Sequence, residues 1–198
     1  DGGLHRVDLD ALEMTPYEAG RFLSPSVRTA FQDRQNNIWV SCNVGLHKLQ
    51  FGNQEVLPHP YYMQDEIRCL YSDSRGRIWV SSRLGVVEIW EGEKRVGYLA
   101  PDGRVVDKKT SFGVGVYTIY EDRSHNLWLG TRGEGLFRLR YSTPHRYAVT
   151  GHYKNDDYNI YSISGNSIYA LLQDYQGRLW VACYDTGLNM IENPDADT

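Results

Sequence analysis

The chain has 198 residues, of which 41% are hydrophobic and 23% charged, and its formal net charge is −4. This length and composition allow a sizeable buried core and exclude an intrinsically disordered chain. The negative charge argues against a dedicated nucleic-acid binder, and no apolar run is long enough to predict a membrane span.

One short unit recurs along the chain. Residues 2–7, GGLHRV, match its final part, and fuller copies follow at 33–49, 73–89, 122–139 and 174–191. A tryptophan stands in each fuller copy, and successive tryptophans are 40, 49 and 52 residues apart. Self-similarity at this spacing is typical of repeat architectures, in which each unit buries its face against its neighbours. The four tryptophans are Trp39, Trp79, Trp128 and Trp180.

Each copy is predicted to contain at least three strands. It opens with a run of about eight residues, rich in β-branched and aromatic side chains, that predicts a first strand. An aspartate ends this run six positions before the tryptophan, and a turn follows in which Gly or Asn supplies a positive φ. A second strand is centred on the tryptophan and a third has the form Leu/Val-x-x-Leu/Ile. The aspartates are Asp33, Asp73, Asp122 and Asp174.

The spacers between copies leave room for a fourth, outer strand, and four antiparallel strands in 40–50 residues form the blade of a β-propeller. We therefore predict an all-β fold: one partial propeller domain with four recognisable four-stranded blades and an N-terminal remnant. The first and last segments both supply a third strand, so imperfect closure, self-association and an open arc all stay open. The predicted segments are a remnant at 1–25 and blades at 26–65, 66–114, 115–166 and 167–198.

The repeated aspartates and tryptophans are interpreted as structural. A carboxylate at a strand end can accept hydrogen bonds from the following turn, and the tryptophans are predicted to pack between blades. Cys42 and Cys183 occupy one repeat position, where the other copies have small residues, so no disulfide framework is predicted. No motif of a catalytic serine, zinc protease or phosphate loop is present. We predict no catalytic residue, metal or cofactor.

Candidate ligand-binding residues come from the register of the repeats. Eleven positions before each tryptophan and four positions after it, the chain has only Arg, Tyr or Asn. The start of the first strand lies beside the end of the second in an antiparallel hairpin, so both sets should meet on one rim, around the mouth of the propeller channel. The set is Arg28, Asn43, Arg68, Arg83, Tyr117, Arg132, Tyr169 and Tyr184.

These residue types suit a polar, ring-shaped ligand. Tyrosine offers a flat face to a sugar and a hydroxyl for hydrogen bonding, and arginine offers a planar fork to a carboxylate or sulfate. Four arginines among eight positions point to an acidic oligosaccharide. The alternative is that these side chains pair with the long loops that cover the rim.

Two spacers carry further predictions. The spacer at 141–166 contains five tyrosines and is predicted to be a long aromatic loop beside the rim. Its run at 155–157 is interpreted as a solvated turn, with a calcium site as the less favoured alternative. In the preceding spacer, PDGR at 101–104 predicts the turn of an outer hairpin.

The unit D-x-x-G-x-[IL]-W-[VL]-[GS]-[TS]-x-x-G-[GL]-L-x-[RK]-[LI] resembles the two-component regulator propeller repeat. Its best copies stand at 73–90 and 122–140. The resemblance implies the sensor region of a hybrid two-component histidine kinase of glycan-degrading gut bacteria, built on seven-bladed propellers. It further implies a periplasmic location, an oligosaccharide ligand and signalling through a homodimer. The membrane span and the kinase would lie outside this chain, which is therefore not expected to be an enzyme.

Two other function classes stay open. A propeller lyase would carry a histidine or carboxylate cluster on the rim, where this chain has arginine and tyrosine. A protein-interaction scaffold would suit an Arg- and Tyr-rich rim equally well. No nucleic-acid partner is predicted, and contact with a membrane is expected only through the absent parts of the parent protein.

Overall fold

A computed structural model of the chain describes residues 4–16, 26–33, 36–43, 45–50, 55–59 and 66–196. Every regular element in these ranges is a β-strand, as the sequence predicts. None of these ranges forms a helix that could cross a membrane.

The N-terminal sheet, sheet 1, is a two-stranded hairpin. Strand β1 (His5–Asp8) pairs antiparallel with β2 (Glu13–Pro16). The carboxylate of Asp8 accepts hydrogen bonds from the backbone N–H groups of Asp10 and Ala11 in the turn between them. β1 overlaps the segment that matches a third strand of the repeat, and residues 1–3 and 17–25 of the predicted remnant lie outside the described residues.

Four larger antiparallel sheets follow, and each contains one copy of the repeated unit. Sheet 2 consists of β3 (Val27–Gln32), β4 (Ile38–Cys42), β5 (Leu46–Gln50) and β6 (Glu55–His59). Sheet 3 consists of β7 (Ile67–Ser72), β8 (Arg77–Ser82), β9 (Val87–Glu91), β10 (Lys94–Leu99) and β11 (Val105–Val106). Sheet 4 consists of β12 (Val116–Glu121), β13 (Asn126–Thr131), β14 (Leu136–Thr143) and β15 (Arg146–Tyr153). Sheet 5 consists of β16 (Ile168–Gln173), β17 (Leu179–Cys183) and β18 (Gly187–Ile191).

Sequence neighbours pair in every sheet, so each sheet is a meander. Sheets 2 and 4 have the predicted four strands, and sheet 5 has three within the part of the chain described. Sheet 3 gains β11 because the PDGR turn folds the chain back on β10, which confirms the predicted hairpin. The backbone N–H of Gly103 donates to Ala100 O at 2.9 Å in that turn.

The spacer at 141–166 is not one long loop, so that prediction is wrong for its first half. Tyr141, Tyr147 and Tyr153 lie in β14 and β15, which pair along most of their length. Tyr147 is fully buried, accepts a 2.9 Å hydrogen bond from Arg77 Nη1, and packs edge-to-face on Trp79. Tyr147 of the outer strand β15 therefore fills the space between sheets 3 and 4. Only Tyr158 and Tyr161 are loop residues.

One hydrogen bond recurs in all four repeats. The second carboxylate oxygen of each repeated aspartate accepts the indole N–H of the tryptophan six positions later, at 2.7–2.9 Å. The first oxygen accepts the backbone N–H four positions later, at 2.8–3.0 Å. The carboxylate therefore joins the turn to the core-facing tryptophan. The pairs are Asp33–Trp39, Asp73–Trp79, Asp122–Trp128 and Asp174–Trp180.

Successive sheets pack against each other in chain order. The first strands β3, β7, β12 and β16 lie side by side. Trp79 is buried between sheets 3 and 4 with Val116 and Ile119. On sheet 5 the outward face is uncovered, with Leu172 and Leu188 more than half exposed.

Replacing Asp73 by Ala is expected to lower the free energy of unfolding by about 3 kcal/mol, because the Trp79 indole and a turn amide would be buried without an acceptor. The matched change Asp174→Ala should cost less, because Trp180 is partly exposed and water can replace the lost carboxylate. Urea denaturation followed by tryptophan fluorescence measures both losses. Equal losses at the two positions would contradict this explanation.

Acid is expected to destabilise the chain in part through Asp174. Its partial burial favours the neutral acid, but hydrogen bonds from Trp180 and Arg178 outweigh that effect and lower the pKa from 3.8 to about 2. Because the folded pKa is below the unfolded one, this stabilisation is present above about pH 4 and is lost as the pH falls towards 2. Asp174→Asn should flatten that part of the dependence of the urea midpoint on pH. A slope identical to that of the wild type would contradict the assignment.

Candidate ligand-binding rim

The first strand of each repeat carries a β-bulge at the same position. In sheet 2, Val27 pairs with Cys42 and Thr29 pairs with Ser41, which leaves Arg28 as the extra residue. The same shift of register occurs in sheets 3, 4 and 5. A bulge changes the direction of the side chain that it carries. The four bulge residues are the first predicted set, Arg28, Arg68, Tyr117 and Tyr169.

The second predicted set lies beside the bulges. The backbone N–H of each member donates to the carbonyl oxygen of the residue two positions before the bulge residue, at 2.8–3.2 Å. Both sets therefore meet at the same end of every hairpin. The bonds are Asn43 to Ser26, Arg83 to Glu66, Arg132 to Gly115 and Tyr184 to Ser167.

Three rim arginines converge on one carboxylate, that of Glu66. Its Oε1 lies 3.2 Å from Arg28 Nη2 and 3.0 Å from Arg68 Nη2. Its Oε2 lies 3.5 Å from Arg83 Nη1. Arg28 also donates from Nε to Asn43 Oδ1 at 2.8 Å. Among the described residues, three positive charges thus surround a single negative one.

A row of tyrosines continues the rim from the arginines. The guanidinium of Arg68 lies over the ring of Tyr117, 5.2 Å from its centroid. Tyr117 meets Tyr169 edge-to-face, and Tyr169 meets Tyr184 at an interplanar angle of 30°, both with centroids 5.2 Å apart. Tyr169 and Tyr184 are 48% and 58% exposed, so their rings are available to a ligand.

Seven of the eight predicted residues are therefore connected, directly or through Glu66. Arg132 is exposed and stands on the same rim, but the contacts that connect the other seven do not include it. The connected residues contact one another and Glu66, the residue directly before β7.

Sequence comparison of the repeats did not single out Glu66. It stands directly before β7, where the other copies have Ser26, Gly115 and Ser167. A repeat comparison favours positions that share a residue type, whereas Glu66 is the one acid at a position otherwise small. The acid at this position, close to the two rim positions that are rich in arginine, was the signal that the sequence offered for Glu66.

The chemistry of this surface is that of an anion site next to an aromatic platform. Guanidinium groups bind carboxylate and sulfate through paired N–H donors, and tyrosine faces pack against the C–H surface of a sugar ring. The part of the chain described has no grouping of three or more His, Cys, Asp or Glu that could hold a metal ion. At the 155–157 run, Asp156 accepts the backbone N–H of Tyr158, which is a turn contact.

Comparison with known proteins connects the repeats to a family. The model of the two component regulator propeller family matches residues 61–83, 111–133 and 162–185. The matched ranges contain the first two strands of sheets 3, 4 and 5, including the bulge residues of those sheets. No curated protein matches the chain significantly.

Solved structures share the fold at low sequence identity. The extracellular domain of BT4673 from B. thetaiotaomicron is 18% identical with a TM-score of 0.76, and the match covers 96% of this chain and 24% of that one. The extracellular domain of BT3049 from B. thetaiotaomicron is 21% identical with a TM-score of 0.70, covering 97% and 24%. The WD40 β-propeller domain of Doa1 is 13% identical with a TM-score of 0.59, covering 83% and 50%.

The chain spans about a quarter of the length of the two extracellular domains, 24% of each. Together with the meandering sheets, these matches confirm the prediction of an all-β propeller architecture. The resemblance found in the sequence is likewise confirmed, because the model of the two component regulator propeller family matches the first part of three of the repeats.

Proposed function

We propose that this chain is a sensing part of a two-component signalling protein, located outside the cytoplasm, and that its rim binds an acidic oligosaccharide. The family description supports the signalling role. The two extracellular domains with the same fold come from proteins assigned to hybrid two component systems, which supports the location. A membrane span and a kinase would be supplied by a longer parent protein, and the signal would pass by a conformational or homodimer change.

The connected rim is the observation that carries the ligand class. A carboxylate or sulfate would bind the arginines beside Glu66, where a paired, charge-assisted contact is stronger than a neutral hydrogen bond. A sugar ring of the same ligand would lie on the exposed faces of Tyr169 and Tyr184. Neighbouring parts of the rim would therefore recognise the negative charge and the sugar ring of one oligosaccharide.

We propose no catalytic role for this chain. Among the described rim residues the single carboxylate is Glu66, and arginine contacts hold it in place. General acid–base chemistry needs a proton donor or acceptor that can approach the reacting bond. The rim groups are arranged to bind charge instead.

A protein-docking role is the second candidate, and a specific loop favours it. Tyr158, Ile160 and Tyr161 are each at least 90% exposed. The loop that carries them is braced by bonds from Asn155 to Ile163 and from Asp156 to Ser162. Exposed apolar side chains on a braced loop are typical of protein interaction sites.

The double change Arg68→Gln and Arg83→Gln is expected to weaken binding of tetragalacturonate about tenfold or more, because two charge-assisted contacts are lost. Tyr169→Ala should weaken both the acidic tetrasaccharide and a neutral one such as maltotetraose, because it removes the stacking face. Isothermal titration calorimetry at two salt concentrations measures these effects. Only the acidic ligand should lose affinity as salt rises.

Arg104→Gln is the matched control, since Arg104 is exposed on the outer hairpin and pairs with Asp102. It should leave binding unchanged. Unaltered affinity in the double variant would contradict the rim assignment. Absence of binding to acidic and neutral sugars alike, in a folded sample, would favour protein docking.

A further inference from the structure

Three features of the arginine cluster distinguish it from an ordinary surface ion pair. The carboxylate of Glu66 is largely buried, with 16% of its side chain exposed, whereas Arg28 and Arg83 are 44% and 55% exposed. One acid serves three guanidinium groups. The contacts of Glu66 Oε1 with the guanidinium groups are electrostatic, because this atom is buried and accepts no hydrogen bond of good geometry from the described residues.

Arg68 supplies an independent observation. Its Nε is buried and has no hydrogen-bond acceptor within the described part of the chain. A buried donor without an acceptor costs free energy, because it has lost water and gained nothing in return. The cluster therefore has the donors for an anion but satisfies them incompletely with Glu66.

We propose that Glu66 is an internal counter-ion that occupies the place of the ligand's anionic group, so that binding exchanges one carboxylate for another. A carboxylate or sulfate from solution would enter between Arg28 and Arg83, the exposed pair. Its oxygens would accept hydrogen bonds from the arginine donors that Glu66 leaves without an acceptor. This inference rests on the proposed function of the rim as a site for acidic sugars. It adds the element that sets the affinity of that site.

Electrostatics predicts how the charge of Glu66 affects ligand affinity and the stability of the free protein. While Glu66 is paired, it lowers the positive potential of the site and so weakens attraction of an anion. It also keeps three like charges together in the unliganded protein. Removing its charge should therefore make the free protein less stable and the complex more favourable, because the ligand would relieve the repulsion among the arginines.

Glu66→Gln tests the proposal by calorimetric titration with tetragalacturonate. The variant should bind about three- to tenfold more tightly than the wild type at low salt, and the difference should shrink as salt rises. Without ligand its melting temperature should be lower. Glu93→Gln makes the same change of net charge in the exposed turn between β9 and β10, and it should alter neither quantity.

Glu66→Asp keeps the charge but draws the carboxylate back by one methylene, and it is a second variant should the first fold poorly. Its affinity should lie between those of the wild type and Glu66→Gln. Affinity in both variants equal to or below that of the wild type, with the Arg68 and Arg83 dependence intact, would overturn the counter-ion proposal alone. Absence of binding in the wild type and in both variants would overturn the rim function as well. Binding that emerges only in Glu66→Gln would support both.

Discussion

The hydrogen bond between an aspartate carboxylate and the indole of the tryptophan six residues later is the interaction on which the rest of the structure depends. In sheets 3 and 4 the indole is fully buried, so its N–H needs an acceptor inside the protein. The same carboxylate accepts a backbone N–H of the turn, so one side chain closes the hairpin and fixes the tryptophan between sheets. The cost is visible at Asp73, whose pKa is raised by burial despite the bonds from Trp79 and Arg77.

Because the aspartate fixes the turn end of each hairpin, it also fixes the pairing register at the opposite end, where the bulge lies. A slip of one residue would turn every side chain of the strand to its other face. Arg68 would then leave Glu66 and the ring of Tyr117. The aspartate–tryptophan hydrogen bond and the candidate ligand rim thus lie at opposite ends of the same two strands. The rim residues can differ from one repeat to the next while the aspartate and the tryptophan stay the same.

Sequence reasoning succeeded where a signal repeats. The strand order, the positive-φ turns at Asn36 and Gly76, and the meeting of the two rim sets all follow from comparing copies. It failed where a residue acts alone: Tyr147 fills one gap between two sheets, and Glu66 balances charges that come from three different strand ends. Neither role recurs from one repeat to the next. The bulges were also missed, because an extra residue in a strand is defined by the pairing of its partner, which a single strand sequence does not contain.

The most direct measurement is a crystal structure of the chain grown with tetragalacturonate. The arrangement described above predicts a ligand carboxylate within hydrogen-bonding distance of Arg28, Arg68 or Arg83, the side chain of Glu66 displaced from them, and a sugar ring on Tyr169 or Tyr184. A ligand bound elsewhere, or bound on the rim with Glu66 still holding all three arginines, would contradict it.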